Sequence, residues 1–142
     1  MKEYLKAVCA DGQCVNPLFR FLGASVRVAE KGRCVIDLPL SGKLTQGDGL
    51  VAGGILATIA DEAMAHAVIS ILEPGRRTVT TEMNIRYLRT ADPNTKGTLT
   101  STATVVKPGR RVMVTEAAIH DDAGRLLATA GGSFIVLERD GA

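Results

Sequence analysis

Asp61 is a carboxylate in a stretch that otherwise avoids charge. From about Ile55 to Leu72 nearly every residue is apolar or a good helix former, and Asp61 falls in the second turn. Burying an ionised carboxylate without partners is costly, so it needs a hydrogen-bonding or a chemical reason to be there. A carboxylate in a dry pocket can act as a general base or as a nucleophile; the structural alternative is an Asp hydrogen-bonded to a loop. Just before the stretch stand Gly47, Gly49, Gly53 and Gly54. At a helix start the first backbone N–H groups are unpaired and the dipole is positive. The amides of Gly53 and Gly54 can therefore receive a developing negative oxygen, as an oxyanion hole does; the competing reading is a tight turn. His66 lies about 140° round the helix from Asp61 and pairs with Glu62 at i, i+4, so it reads as structural. His120 sits at a turn and reads as solvated. Cys34 reads as a small strand or core residue, and no Ser-His-Asp or Cys-His arrangement can be assembled.

Those residues need elements to hold them. Leu56, Ala60, Ala63, Met64, Ala67 and Ile71 form one apolar stripe. Ala57, Thr58, Ala65 and Val68 make the rest apolar or small, and such a helix is normally buried all round. Pro74-Gly75 ends it. Upstream, residues 1–10 read as a short amphipathic helix with Tyr4, Leu5 and Val8 inward. Asn16-Pro17 reads as an N-cap with Pro at the first helical position, opening Pro17–Leu22, which Gly23 closes. Ser25–Glu30 and Arg33–Leu40 read as strands about the turn Lys31-Gly32; in the second, Cys34, Ile36 and Leu38 share one face. After the helix, Thr78–Thr90, Gly97–Val106, Arg111–His120 and Leu126–Leu137 read as strands joined by short turns. Gly131-Gly132 predicts a bulge or a close backbone approach. The order predicts an α+β fold, an antiparallel sheet on one long helix. Residues 1–142 read as one domain, with 1–23 as an N-terminal helical segment.

Composition narrows the function. Aromatics are 4% with no Trp, and net charge is +2, which argues against nucleic-acid binding. Residues 76–111 hold eight basic and two acidic residues. Arg110 and Arg111 follow a Pro-Gly turn, with Arg86 and Arg89 on the preceding strand. Arginine suits phosphate contacts; a solvated basic face is the alternative. Cys9, Cys14 and Cys34 lack metal-site spacing, so no metal is expected. The N-terminus lacks an apolar signal core and no apolar run reaches membrane-spanning length, so a cytoplasmic protein without membrane contact is expected.

Gly53-Gly54, six residues, Asp61, one residue, Ala63 resembles the acyl-CoA thioesterases of the hot-dog fold, in particular the phenylacetate-pathway (PaaI-like) branch. The family string is Asn-x-x-Gly-x-x-His-Gly-Gly before the helix. Here Gln46 holds the Asn position, as it can in 4-hydroxybenzoyl-CoA thioesterases; Gly49 holds the Gly, and Ala52 stands where His is common. Thr80-Thr81-Glu82-Met83-Asn84 fits the following strand, and the resemblance runs from about Pro17 to Leu137. It implies a curved sheet wrapped round the helix, dimers joined edge to edge or tetramers of paired dimers, and hydrolysis of an acyl- or aryl-CoA without a cofactor. Asp61 is then the base or nucleophile and the Gly53 N–H the oxyanion donor. Gln46 and Thr80 position substrate or water, each with a structural alternative as a loop amide or a strand residue. Gly54, Ala52, Asn84, Arg89, Arg110 and Arg111 are the expected substrate contacts, the arginines on the CoA phosphates. Ala52 cannot donate, accept or carry charge. Two rival functions stand: a hot-dog hydratase or dehydratase, which needs the missing His, and a CoA-ester-binding or regulatory protein.

Overall fold

The computed structural model describes residues 2–92 and 97–138. Two short helices come first. α1 (Lys2–Val8) buries Val8 and half-buries Tyr4 and Leu5. α2 (Pro17–Leu22) is capped as its sequence predicts. The Asn16 side chain accepts from the amides of Leu18 at 3.1 Å and Phe19 at 3.2 Å. Gly23 ends the helix at φ 75°, a left-handed conformation that costs glycine little.

β1 (Ser25–Glu30) and β2 (Arg33–Pro39) form a hairpin, and the long helix α3 (Gly53–Ile69) follows. It starts two residues before the predicted boundary and stops three before it. The Ser70 hydroxyl explains the stop: it donates to Ala67 O at 2.7 Å and accepts from Gly32 N at 2.8 Å, tying the helix end to the β1–β2 turn. Residues 71 and 72 then continue with tighter i→i−3 bonds.

β3 (Arg76–Tyr87), β4 (Thr98–Lys107), β5 (Val112–His120) and β6 (Leu126–Glu138) complete one antiparallel six-stranded sheet, ordered β1-β2-β4-β5-β6-β3. The expected succession of short turns therefore fails between β3 and β4. Crossing on α3 delivers β3 to the far edge, beside β6, while β4 lies beside β2; after β3, Ala91 O accepts from Val51 N just ahead of α3.

The sheet curves round α3, which touches every strand. Ala60, Ala63 and Ala67 on the helix, with Ala103, Ala117, Ala128 and Ala130 on the strands, are all buried. Small side chains on both surfaces let helix and sheet approach closely. Gly132 on β6 serves the same end: a Cβ there would lie 3.2 Å from Glu82 O and 3.3 Å from Met64 Cε. Of the two expectations for the glycine pair, close approach is met. The bulge lies instead on β3, where Thr80 pairs with Phe134 and Glu82 with Ser133, leaving Thr81 extra. On β2, Val35 is buried together with the expected Cys34, Ile36 and Leu38.

Candidate active site

The Thr80 hydroxyl donates to Asp61 Oδ1 at 2.8 Å, so two residues nineteen positions apart meet between α3 and β3. Strand parity explains the meeting. Ahead of the bulge, Thr78 and Thr80 face α3; after Thr81, Met83, Ile85 and Tyr87 do. Without the extra residue, a regular strand would turn either Thr80 or Tyr87 away. The expectation that α3 is buried all round is not met. Asp61 is half-buried, as are Ala57, Thr58 and Ala65, and Gly53 and Gly54 are exposed. One stripe of small residues stays open within a chain, and Asp61 stands on it with the Thr80 hydroxyl as its partner.

α3 begins without a side-chain cap. Ala52 occupies the N-cap position with extended backbone angles and donates its own amide to Leu44 O at 2.8 Å. Among the described residues the amides of Gly53 and Gly54 have no acceptor. The Tyr87 hydroxyl donates to Gly53 O at 2.9 Å, and a Cβ on Gly53 would lie 3.2 Å from the tyrosine ring. A side chain at position 53 would therefore crowd the tyrosine ring. Gln46 is exposed on the preceding loop. Its side-chain oxygen accepts from the Asp48 amide and its backbone closes the loop onto Leu50 and Gly49, which leaves the side-chain NH2 as its available donor. A cavity of about 380 Å³ opens here, lined by Gln46, Leu50, Gly53, Leu56, Tyr87 and Arg89.

The sequence profile of the Thioesterase superfamily matches residues 48–128, the span holding the glycine loop, α3 and β3 to the start of β6. The chain belongs to the thioesterase superfamily. It is a thioester hydrolase of hot-dog fold. An esterase-named relative from Saccharolobus solfataricus, SSO2140, is 31% identical over 96% of this chain and 95% of its own. The 1,4-dihydroxy-2-naphthoyl-CoA hydrolase of Listeria monocytogenes is 27% identical over 83% of this chain and 94% of its own. Among solved structures, thioesterase HI1161 of Haemophilus influenzae superposes with a TM-score of 0.81 at 21% identity, over 91% of this chain and 90% of that one.

In this thioesterase the arginines are divided between the two ends of α3. Arg89 lies at the Gly53 end, where its guanidinium donates to Leu126 O at 2.8 Å. Arg110 and Arg111 lie at the other end, in a groove of about 960 Å³ shared with Leu72, Glu73, Arg76 and Met113. They cannot grip one phosphate together with Arg89 within a chain. Asn84 is not brought to Asp61 either. It projects from the sheet face away from α3, where its side chain donates to Glu82 at 3.3 Å and covers Gly131.

Glu62, next to Asp61, has another setting. Burial pushes its carboxyl above the ordinary range, helped by the charge of Asp61 and opposed by Asn16. The His66 Nδ1 lies 2.7 Å from Glu62 O and its Nε2 lies 3.0 Å from the Tyr4 hydroxyl. A proton on Nδ1 satisfies both: the ring donates to the carbonyl and accepts from Tyr4, whose oxygen takes Asn16 Nδ2 at 3.3 Å. Burial holds His66 below its ordinary value, consistent with a neutral ring. The structural role expected of His66 is what this network supplies. The Cys34 thiol is pushed up by burial and is fully enclosed, which rules it out as an accessible nucleophile. Among the described residues no group of three or more His, Cys, Asp or Glu is placed to hold a metal, and no helix is long and apolar enough to cross a membrane.

Two residues of the site were missed by sequence reasoning, Tyr87 and Arg76. Tyr87 left a faint signal. It is one of two tyrosines, and a tyrosine hydroxyl inside a strand needs a partner. Arg76 left none, since its role as groove wall depends on where the β4–β5 turn folds.

Proposed function

We propose that this thioesterase hydrolyses acyl- or aryl-CoA esters to the free acid and CoA, in the cytoplasm, with Asp61 as the reacting carboxylate. The Asp61–Thr80 hydrogen bond on the open side of α3 carries the proposal. It fixes a carboxylate where a ligand can reach it, and the hydroxyl is placed to hold a water beside it. As a base, Asp61 takes a proton from that water as it adds to the thioester carbon. The carbonyl oxygen becomes an oxyanion at the Gly53 amide. The C–S bond then breaks, and Asp61 returns the proton to the leaving thiolate. As a nucleophile, Asp61 would instead form a mixed anhydride that water opens. Turnover in ¹⁸O-water tells these apart, because only the anhydride route can leave label in the Asp61 carboxylate. The 1,4-dihydroxy-2-naphthoyl-CoA hydrolase relationship supports a CoA ester as substrate.

One chain cannot complete this site. Asp61 and Gly53 are eight residues apart on α3, about 12 Å along the axis. A base and an oxyanion donor acting on one carbonyl must each lie about 3 Å from it. The free edge of β3, twelve residues long, offers a second copy a place to pair. An antiparallel pairing would set one chain's Gly53 end against its partner's Asp61, in a dimer or a pair of dimers. It would also bring Arg89 of one chain towards the Arg110–Arg111 end of the other. Mixing inactive Asp61→Asn chains with inactive Gly53→Val chains should restore activity if sites are shared; no recovery after verified subunit exchange would exclude a shared site.

A panel of acyl-CoA esters of varied length and aromaticity, with CoA binding measured in parallel, tests the substrate class. Binding without turnover across the panel would refute hydrolysis and leave a CoA-ester binder, the outcome to which Ala52 would contribute by supplying no side-chain group. Charge reversal at Arg110 and Arg111 to Glu should raise KM for CoA esters about tenfold or more and spare a truncated pantetheine thioester. Equal effects on both substrates would remove the nucleotide from that groove.

A further inference from the structure

We propose that Tyr87 is a positioning residue for the Gly54 amide, a second oxyanion donor beside that of Gly53 at the start of α3; the inference rests on the reading of Gly53 given above. Three observations support it. The Tyr87 hydroxyl donates to Gly53 O at 2.9 Å. Its ring lies so close to Gly53 that a Cβ there would approach Cζ at 3.2 Å, the hydroxyl at 3.3 Å and Cε1 at 3.4 Å. And Tyr87 is itself held, because it pairs with Ala128 at the end of β3 and the next two amides both donate to Leu127 O, at 2.8 and 3.1 Å.

The consequence follows from peptide geometry. Gly53 C=O and Gly54 N–H belong to one planar unit and point in opposite directions. Fixing the carbonyl on Tyr87 fixes the direction of the Gly54 amide. Accepting a hydrogen bond at the carbonyl also polarises the same unit and makes that amide a stronger donor. The preceding unit, which carries the Gly53 amide, is held separately, since Ala52 O accepts from Ile55 N at 3.0 Å. Both amides of the glycine pair are thus aimed by partners outside them. This matters at a helix start with no side-chain cap, where two successive glycines would otherwise leave the turn loose. Half of Tyr87 remains exposed, at 50%, on the cavity beside Gly53, so the clamp leaves room for a substrate.

The test compares wild type, Tyr87→Phe, Tyr87→Leu, Gly53→Ala and the Gly53→Ala/Tyr87→Leu double variant on an acyl-CoA that the wild type turns over, with Asp61→Asn alongside. Tyr87→Phe keeps the ring and removes the donor. Its kcat should fall on the order of tenfold, a fraction of the loss on deleting an oxyanion donor outright. KM, the melting midpoint and affinity for an S-alkyl-CoA thioether, which has no carbonyl oxygen, should stay within about twofold or unshifted. The amide NMR resonance of Gly54 should move in Tyr87→Phe. Gly53→Ala should lose more in wild type than in the Tyr87→Leu background, since the added methyl meets the ring. An unmoved Gly54 resonance would overturn the clamp whatever the activity. A moved resonance with wild-type kcat, or a rate loss matched by a fallen melting midpoint, would overturn the positioning role. Full activity in Asp61→Asn would instead strike the reading of the site itself.

Discussion

Asp61 and Glu62 are adjacent on α3, about 100° apart round its axis, and meet different surroundings. Asp61 faces β3 on the open side of α3 and accepts from the Thr80 hydroxyl. Glu62 faces the N-terminal helices. Around it Asn16, His66 and Tyr4 form a chain of hydrogen bonds, roofed by Phe19 with its ring 5.2 Å from that of His66. On that side the polar groups link to one another, and the result is attachment of α1 and α2 to the core. On the open side the polar groups are left partly unsatisfied, which is what a ligand or a second chain requires. The comparison teaches that the chemistry of a carboxylate here follows from which side of one helix it leaves, more than from its position in sequence.

The largest expected effect breaks the pair at Asp61, the carboxylate proposed to react. Asp61→Asn keeps size and removes basicity, so kcat should fall by about 10²–10⁴ or more with KM and folding little changed. Steady-state kinetics beside a thermal melt checks it. Retention of more than about a tenth of kcat would move the reaction elsewhere, with Glu62→Gln the next variant to make. Thr80→Val should come second, lowering kcat by about tenfold, because a hydrogen bond to a charged group is worth roughly 1.5–3 kcal/mol and this one is exposed. The melting midpoint should hold, and a rate equal to wild type would leave Thr80 with a structural role only.

On the other side the signs exchange. Tyr4→Phe leaves His66 Nε2 without its donor in a buried setting and should cost about 1–3 kcal/mol of unfolding free energy, with kcat within about twofold of wild type. A large kcat loss there would mean that the two sides communicate. The smallest effect is in pH. His66 lies below the ordinary histidine value of 6.5 in the folded chain. The stability tied to its neutral ring is complete above pH 6.5 and is lost as pH falls from there through the depressed native value. Glu62 works in the opposite sense. Its folded value lies above the ordinary 4.5, so its contribution is present below pH 4.5 and is lost as pH rises through the raised value. Denaturant unfolding from about pH 7 to about pH 5 should therefore show a decline of at most about 1.4 kcal/mol per pH unit from His66. Replacing the ring by His66→Gln should flatten that decline; an unchanged slope would assign it to another group.

Much of this was written in local sequence because its physics is local. Asn16-Pro17 and Gly23 set both ends of α2 through a side-chain cap and a left-handed residue, each needing only its neighbours. The Gly53-Gly54 pair, the helix behind it and the Asp61 offset gave the family, since a helix start and a spacing along a helix are one-dimensional facts. The pairing of His66 with Glu62 was legible for the same reason, being a single helical turn.

Tertiary structure decided the rest. Which carboxylate meets β3 depended on where β3 lands, and β3 lands at the far edge of the sheet because α3 carries the chain across it. That Thr80 and Tyr87 both face α3 depended on one extra residue at Thr81, which changes the parity of a strand whose composition does not reveal it. The glycine pair on β6 left a bulge and a close approach both open, and the fold decided for the approach of Met64 and the backbone of Glu82. Asn84 read as a substrate contact from the strand segment that carried the resemblance, and the same parity change put it on the opposite face from Thr80. The sequence by itself determined the main elements, the caps of α2 and membership of the thioesterase superfamily, and it singled out Asp61 as the carboxylate proposed to react. Only the folded chain decided which side chains share a face, because contact across a sheet depends on register and crossover, and neither is a property of neighbouring residues.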